Sequence, residues 1–220
     1  YVSYQDVGNF DVKFAKSTDG GTAWTNTTVV DSVPFDLEAA ISAASPGDTI
    51  NIPAGTYTVT SELVINKSLT LIGAGAATTI IQADANPGVA NHRVFTVTGG
   101  PVVISNVTIR NGVALDGGGI KNLGTLTVNN STITGNQSNG TGGGGINNQD
   151  GTLTINSSTV SGNTVGSGGV GGGSLNCCNM GTLTINNSTI SGNSSVLNGG
   201  GIVNQATLTI NNSTITNNTT

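Results

Sequence analysis

The chain reads as all-β: a right-handed single-stranded parallel β-helix with one N-terminal capping helix and an N-terminal strand and hairpin extension. Three observations carry that reading. The stretch GTLTINNSTISGN at 181–193 has near copies beginning at Gly124, Gly151 and Ala206. Within each copy Thr alternates with Leu, Ile or Val, the period of a strand with one buried face. The chain holds 34 Gly, with only 8% charged and 4% aromatic residues, whereas an ordinary globular domain is about a quarter charged.

The first element is the segment 1–32. Strand-like stretches YVSYQD, DVKFAKS and WTNTTVVD give about three strands, expected to have no sheet of their own. They carry most of the large aromatics: Tyr1, Tyr4, Phe10, Phe14 and Trp24. Ser17-x-Asp19-x-Gly21-x-x-Trp24 resembles an Asp-box, the hairpin turn of sialidase-like propeller blades. That resemblance implies a folding device, with the Asp tying up turn amides and the Trp packing beneath. Tyr1 opens directly into a strand, which suggests a mature or trimmed chain.

The second element is a helix at about 35–45. Leu37, Ala40, Ile41 and Ala44 fall at i, i+3, i+4 and i+7, one apolar stripe. Such a helix would cover the open end of the first coil.

The third element, 33–220 including that helix, is the solenoid. It is loose over 47–83 and 94–112 and regular afterwards. Unit starts at Gly100, Gly124, Gly151, Gly181 and Ala206 lie 24, 27, 30 and 25 residues apart. TLTI should turn Leu153, Ile155, Leu183, Ile185, Leu208 and Ile210 inward. STIS should do the same for Ile133, Val160, Ile190 and Ile215. A Gly-rich turn follows, then GGGI supplies a third strand at Ile120, Ile146 and Ile202, with Ser174 at that place in the unit from Gly151. Length varies around the Gly-rich turn, so variable turns sit on a constant three-strand frame. Seven or so coils at a ~4.8 Å rise would make a rod about 34 Å long. Asn122, Asn148, Asn176 and Asn204 share one register; Asn136, Asn163, Asn193 and Asn218 share another. Asn tolerates left-handed corners, and its amide can bond the Asn one coil above, so both columns read as corner ladders.

DLEAAISAASPGDTINIPAGTYTV and LTLIGAGAATTIIQA, followed by the GGGI and GTLTINNSTISGN repeats, resemble extracellular right-handed parallel β-helix proteins of bacteria. The likeness is to pectate-lyase-type solenoids and to polymorphic outer-membrane-protein repeats, over roughly 33–220. The latter pair their GGA(I/V/L) with a Phe-x-x-Asn; here GGGI is present and the Phe is not. The resemblance implies a fold and an extracellular or cell-surface location; solenoids of this kind serve many functions.

Chemistry is sparse. The formal charge is −5, and from Asn122 to Thr220 the one charged side chain is Asp150. No basic patch points to nucleic acid. No run of eighteen apolar residues points to a membrane span. Polysaccharide cleavage needs paired carboxylates or an acidic metal site with a base. The solenoid offers Asp84, Asp116 and Asp150 with Arg93, Arg110 and Lys121. Asp116 and Asp150 are expected on different corners, each in a turn before Gly. His92 reads as solvated loop surface. Cys177 and Cys178 are adjacent and cannot close an ordinary disulfide loop; free thiols, a strained vicinal pair and an intermolecular link stay open. The 15 Asn-x-Ser/Thr sequons follow from composition, Asn26 being the one expected to be exposed.

The expectation is therefore a non-catalytic structural protein without catalytic residues, metal or cofactor. Its partner would be itself, assembling head to tail as the N-terminal strands of one copy complete the C-terminal coil of the next. A carbohydrate-binding or carbohydrate-cleaving β-helix, with surface polysaccharide as partner, is the alternative. The outward pairs Thr125/Thr127, Thr152/Thr154, Thr182/Thr184 and Thr207/Thr209 also form a T-x-T grid of the kind seen in ice-binding solenoids.

Overall fold

The computed structural model describes residues 2–5, 12–16, 25–27, 35–166, 168–178 and 180–220. The chain divides into two compact units, Tyr1–Asp36 and Leu37–Thr220. In the first, Val2–Gln5, Val12–Lys16 and Thr25–Thr27 pair antiparallel as a three-stranded sheet with Val12–Lys16 in the middle. These strands therefore do have a sheet of their own, contrary to the sequence expectation. Short strands satisfy their backbone groups most readily with strands adjacent in sequence.

The second unit is a parallel β-helix of about six turns with one short helix. Each turn runs through three faces. The first face stacks seven strands, from Thr49–Ile52 through Leu69–Gly73, Val102–Ser105, Thr125–Asn129, Thr152–Asn156 and Thr182–Asn186 to Thr207–Asn211. The second also stacks seven, from Gly55–Thr58 to Thr214–Thr216. The third stacks six: Leu63–Ile65, Phe95–Val97, Ile120–Asn122, Ile146–Gln149, Ser174–Cys177 and Ile202–Asn204. The coils are thus 49–65, 69–97, 102–122, 125–149, 152–177 and 182–204, with 207–216 supplying two strands of a seventh. The Gly-rich connections are more than turns. Val113–Asp116, Gln137–Gly142 and Thr164–Val165 pair as a short fourth parallel sheet, and single bridges Thr164 to Ser194 and Ser194 to Thr219 continue it.

Register is identical from rung to rung. Leu126, Leu153, Leu183 and Leu208 stack in one interior column; Val128, Ile155, Ile185 and Ile210 form the next. Leu153, Ile155, Leu183, Ile185, Ile133, Val160 and Ile190 are fully buried. Burial of each such side chain is worth roughly 1.5–3 kcal/mol. The seventh rung differs. Leu208 lies in its column but is only half-buried, and Ile210 and Ile215 are 40% and 46% exposed, because no described coil lies over them.

The helix spans Leu37–Ala43, shorter than the sequence stripe. Leu37 and Ile41 are buried against the first coil, while Ala40 and Ala44 are half-buried. Two side chains pin it. Glu38 accepts from the Thr60 amide at 2.8 Å, and Lys67 Nζ donates to the Ser42 and Ala44 carbonyls at 3.1 and 2.5 Å. A cation on carbonyls left unbonded at a helix C-terminus is a favourable pairing.

Candidate functional site

Three polar ladders run along the coils. Asn122 Nδ2 donates to Asn148 Oδ1, Asn148 to Asn176 and Asn176 to Asn204, each at 2.7 Å. The same amides bond corner carbonyls: Asn148 Nδ2 reaches Gly151 O at 2.9 Å and Thr182 O at 3.1 Å. In the second column Asn136 Nδ2 donates to Asn163, Asn163 to Asn193 and Asn193 to Asn218, at 2.9–3.0 Å. There each Oδ1 also accepts the backbone N–H one coil below, as Asn163 Oδ1 does from Asn136 N at 3.0 Å. Asn122, Asn148, Asn176, Asn136, Asn163 and Asn193 have no exposure at all. Such burial is tolerable because donors and acceptors are matched.

None of these eight Asn takes the left-handed backbone. That work falls on other residues: Asn130, Ser157, Asn187 and Asn212 at one corner, with φ of 47–50°, and Gly135, Gly162, Gly192 and Asn217 at another. Bonding and bending are divided between neighbours, since a side chain aimed up the column needs its own Cα in ordinary geometry. The third ladder lies outside. Asn156 donates to Asn129, Asn186 to Asn156 and Asn211 to Asn186, at 2.8–2.9 Å. Beside it Ser158, Ser188 and Ser213 Oγ each accept the N–H of the Ser one coil below, at 3.0–3.1 Å. The sequence reading missed both columns. The signal was there: NNS recurs in three units, with NSS in the fourth.

Charge gathers on the outer side of the third face. Arg93 Nε lies 3.0 Å from Glu62 Oε2, and its Nη1 3.1 Å from Asp116 Oδ1. Lys121 Nζ donates to Asp116 Oδ2 at 2.8 Å, and Asn147 Nδ2 to the same oxygen at 3.2 Å. Thr96 Oγ1 donates to Glu62 at 3.0 Å, and Cys177 Sγ lies 3.6 Å from Asn147 Oδ1. One polar thread therefore runs from coil 1 to coil 5. Burial alone would raise the Asp116 carboxyl. The Lys121 hydrogen bond and the charges of Arg93 and Lys121 outweigh it and hold the group below its ordinary 3.8.

This cluster corrects three readings. Asp116 ends a strand and is ion-paired on both oxygens rather than serving a turn. Asp150 occupies a left-handed turn, with φ of 55°, after the third-face strand Ile146–Gln149, and so lies on a different corner from Asp116, as expected. Glu62, not counted among the solenoid's acids, is Arg93's partner. His92 is half-buried, its Nδ1 2.9 Å from the Arg93 carbonyl, and is not free loop surface. Among the described residues no three His, Cys, Asp or Glu side chains gather as a metal site. Ser17, Asp19, Gly21 and Trp24 of the Asp-box-like stretch lie outside the described residues, as do Tyr1 and Phe10. Tyr4 and Phe14 lie in paired strands, opposite Lys13 and Ser3.

No family model matches the chain, and neither the curated proteins nor the solved structures include a match.

Proposed function

We propose that the chain is a non-catalytic structural protein, extracellular or at the cell surface, that associates end to end with copies of itself. The supporting observation is that each rung is the template of the next: Leu183 stacks on Leu208, Ile185 on Ile210 and Asn186 on Asn211, in one unbroken register. The last rung therefore offers the same columns on which each earlier rung lays the next. On the seventh rung Ile210 and Ile215 are exposed, and a further strand laid there would bury apolar area worth about 25 cal/mol per Å². Val2–Gln5 or Thr25–Thr27, the outer strands of the N-terminal sheet, would supply it by strand addition. The contact joins two different surfaces and so propagates. The location rests on the repeat resemblance alone.

Sedimentation velocity across a concentration series tests this. The full chain should form a ladder of growing species, and residues 31–220 should not. A full chain that stays monomeric at high concentration, or a truncated chain that assembles equally well, refutes the proposal.

The alternative, a carbohydrate-binding β-helix, draws on the first face. There Thr125, Thr152, Thr182 and Thr207 align in one column and Thr127, Thr154, Thr184 and Thr209 in another, a hydroxyl grid four rungs tall. Binding of polysaccharide by monomer would favour it.

A further inference from the structure

Cys177 closes the strand Ser174–Cys177, and Cys178 follows it. In continued strand geometry adjacent side chains point to opposite faces, which would separate the two sulfurs. Cys178 instead takes a φ of 75°, a left-handed conformation uncommon for a residue with a Cβ. The turn is held there: the Cys178 carbonyl accepts from Met180 N at 2.9 Å, and the Cys177 carbonyl from Asp150 N at 3.4 Å. The result is an Sγ–Sγ separation of 2.7 Å, with Cys177 buried and Cys178 exposed. These are the only two cysteines of the chain. Backbone outliers of this kind persist where the surroundings fix them.

We propose that Cys177 and Cys178 form a redox modification site, which a low-molecular-weight disulfide oxidises to an intramolecular vicinal disulfide. The proposal is independent of the assembly reading. The two sulfurs have different parts. Cys178, open to solvent, is the entry sulfur. As thiolate it attacks one sulfur of the oxidant; the oxidant's S–S bond breaks, the first small thiolate leaves and takes up a proton, and Cys178 carries a mixed disulfide. Cys177 then loses its proton to solvent and attacks the Cys178 sulfur, expelling the second small thiolate. Two protein thiols have given up two electrons and two protons, and one disulfide has become two thiols.

The environment explains why Cys177 comes second. Burial, then the hydrogen bond and charge of Cys178, then the charges of Asp150 and Asp116 push its thiol up to about 12. Once Cys178 is capped, its hydrogen bond and charge no longer add to the burial and the Asp150 and Asp116 charges that hold the Cys177 proton, and Cys177 lies next to an electrophilic sulfur. Oxidation also removes the Sγ–H that faces Asn147 Oδ1, so the far end of the polar thread senses the change.

The test uses the full chain, reduced with a phosphine, exposed to oxidised glutathione, then alkylated, denatured and weighed intact. The wild type should lose two hydrogens and take up neither glutathione nor alkylating agent. Cys177→Ser should retain one glutathione, because no resolving thiol remains. Cys178→Ser should stay unmodified by glutathione while folded. A wild-type chain that keeps a glutathione, stays reduced, or runs as disulfide-linked dimers overturns the proposal, as does a Cys177→Ser chain that takes up none.

Discussion

One column of the third face is built in two chemistries. In coils 1 and 2 it holds Ile65 and Val97; in coils 3 to 6 it holds Asn122, Asn148, Asn176 and Asn204. Ile65, Val97, Asn122, Asn148 and Asn176 are equally buried, at 0% exposure. Where the residue is aliphatic, the corner closes through the backbone, with Thr98 N and Gly99 N both donating to Ile65 O. Where it is Asn, the side chain bonds the corner carbonyls and the next Asn. The lower coils are thus held by shape and by one cluster of ion pairs, the upper coils by repeated amides. The same backbone rung accepts either, provided no polar group is left unmatched.

The hardest blow to either half is charge in the aliphatic columns that both share. Leu183→Asp should cost on the order of 4 kcal/mol or more, so that thermal unfolding of the purified variant shifts far down or disappears. A wild-type melting temperature would mean the register is wrong. Next, the two chemistries can be exchanged. Asn148→Leu takes from the buried Asn176 Oδ1 its Asn148 donor and from the Asn122 amide one of its acceptors, and should cost about 2–3 kcal/mol. Val97→Leu, in the same column, only overpacks and should cost about 1 kcal/mol. Equal losses in urea titrations would erase the distinction.

Acid should act first on the ion-pair cluster that spans coils 1 to 3. Asp116 has its folded value depressed, so its stabilisation is complete above the ordinary 3.8 and is lost as pH falls through the lower folded value. Hydrogen exchange should therefore quicken first around Glu62, Arg93, Lys121 and Asn147, with coil 6 unaffected, and Asp116→Asn should abolish the difference. A smaller effect has the opposite sign. Ser174 stands between Ile146 and Ile202 in an interior column, and its buried Oγ makes no hydrogen bond among the described residues. Ser174→Val should raise stability by about 1 kcal/mol, read as a higher urea midpoint. The least effect belongs to the outer ladder. Asn156→Ala exposes its partners to water, which replaces the lost bonds, so the change should stay within about 0.5 kcal/mol.

The strands and their facing were legible because Thr-Leu-Thr-Ile alternation has one meaning at this period, and the four copies fix each other's register. The inner Asn columns were legible for the same reason. What stayed hidden depended on chain segments without a repeat. Glu62 meets Arg93 only because coil 2 carries the long excursion 83–94, whose path no periodicity describes. The contact of Asp116 with Asn147 required knowing that the Gly-rich segments pair as a sheet of their own. The division of labour between Asn129 and Asn130 was invisible because both residues are Asn, and only backbone geometry tells the bonding one from the bending one. The pairing of the N-terminal strands with each other likewise had no repeat to announce it.

The ladders also have a direction. In both buried columns every Nδ2 points to the Asn of the following coil; in the outer column every Nδ2 points to the preceding one. Each column is a file of aligned amide dipoles, and aligned hydrogen bonds polarise one another. No single amide can turn over without placing donor against donor and acceptor against acceptor at its two neighbours, so reversal is possible only for a whole file at once. The coil stack is therefore electrically polar along its axis, with two files running one way inside and a third running back outside. Because coils 1 and 2 hold Ile65 and Val97 where the first file would continue, its polarity ends inside the stack and does not reach the helix-covered end.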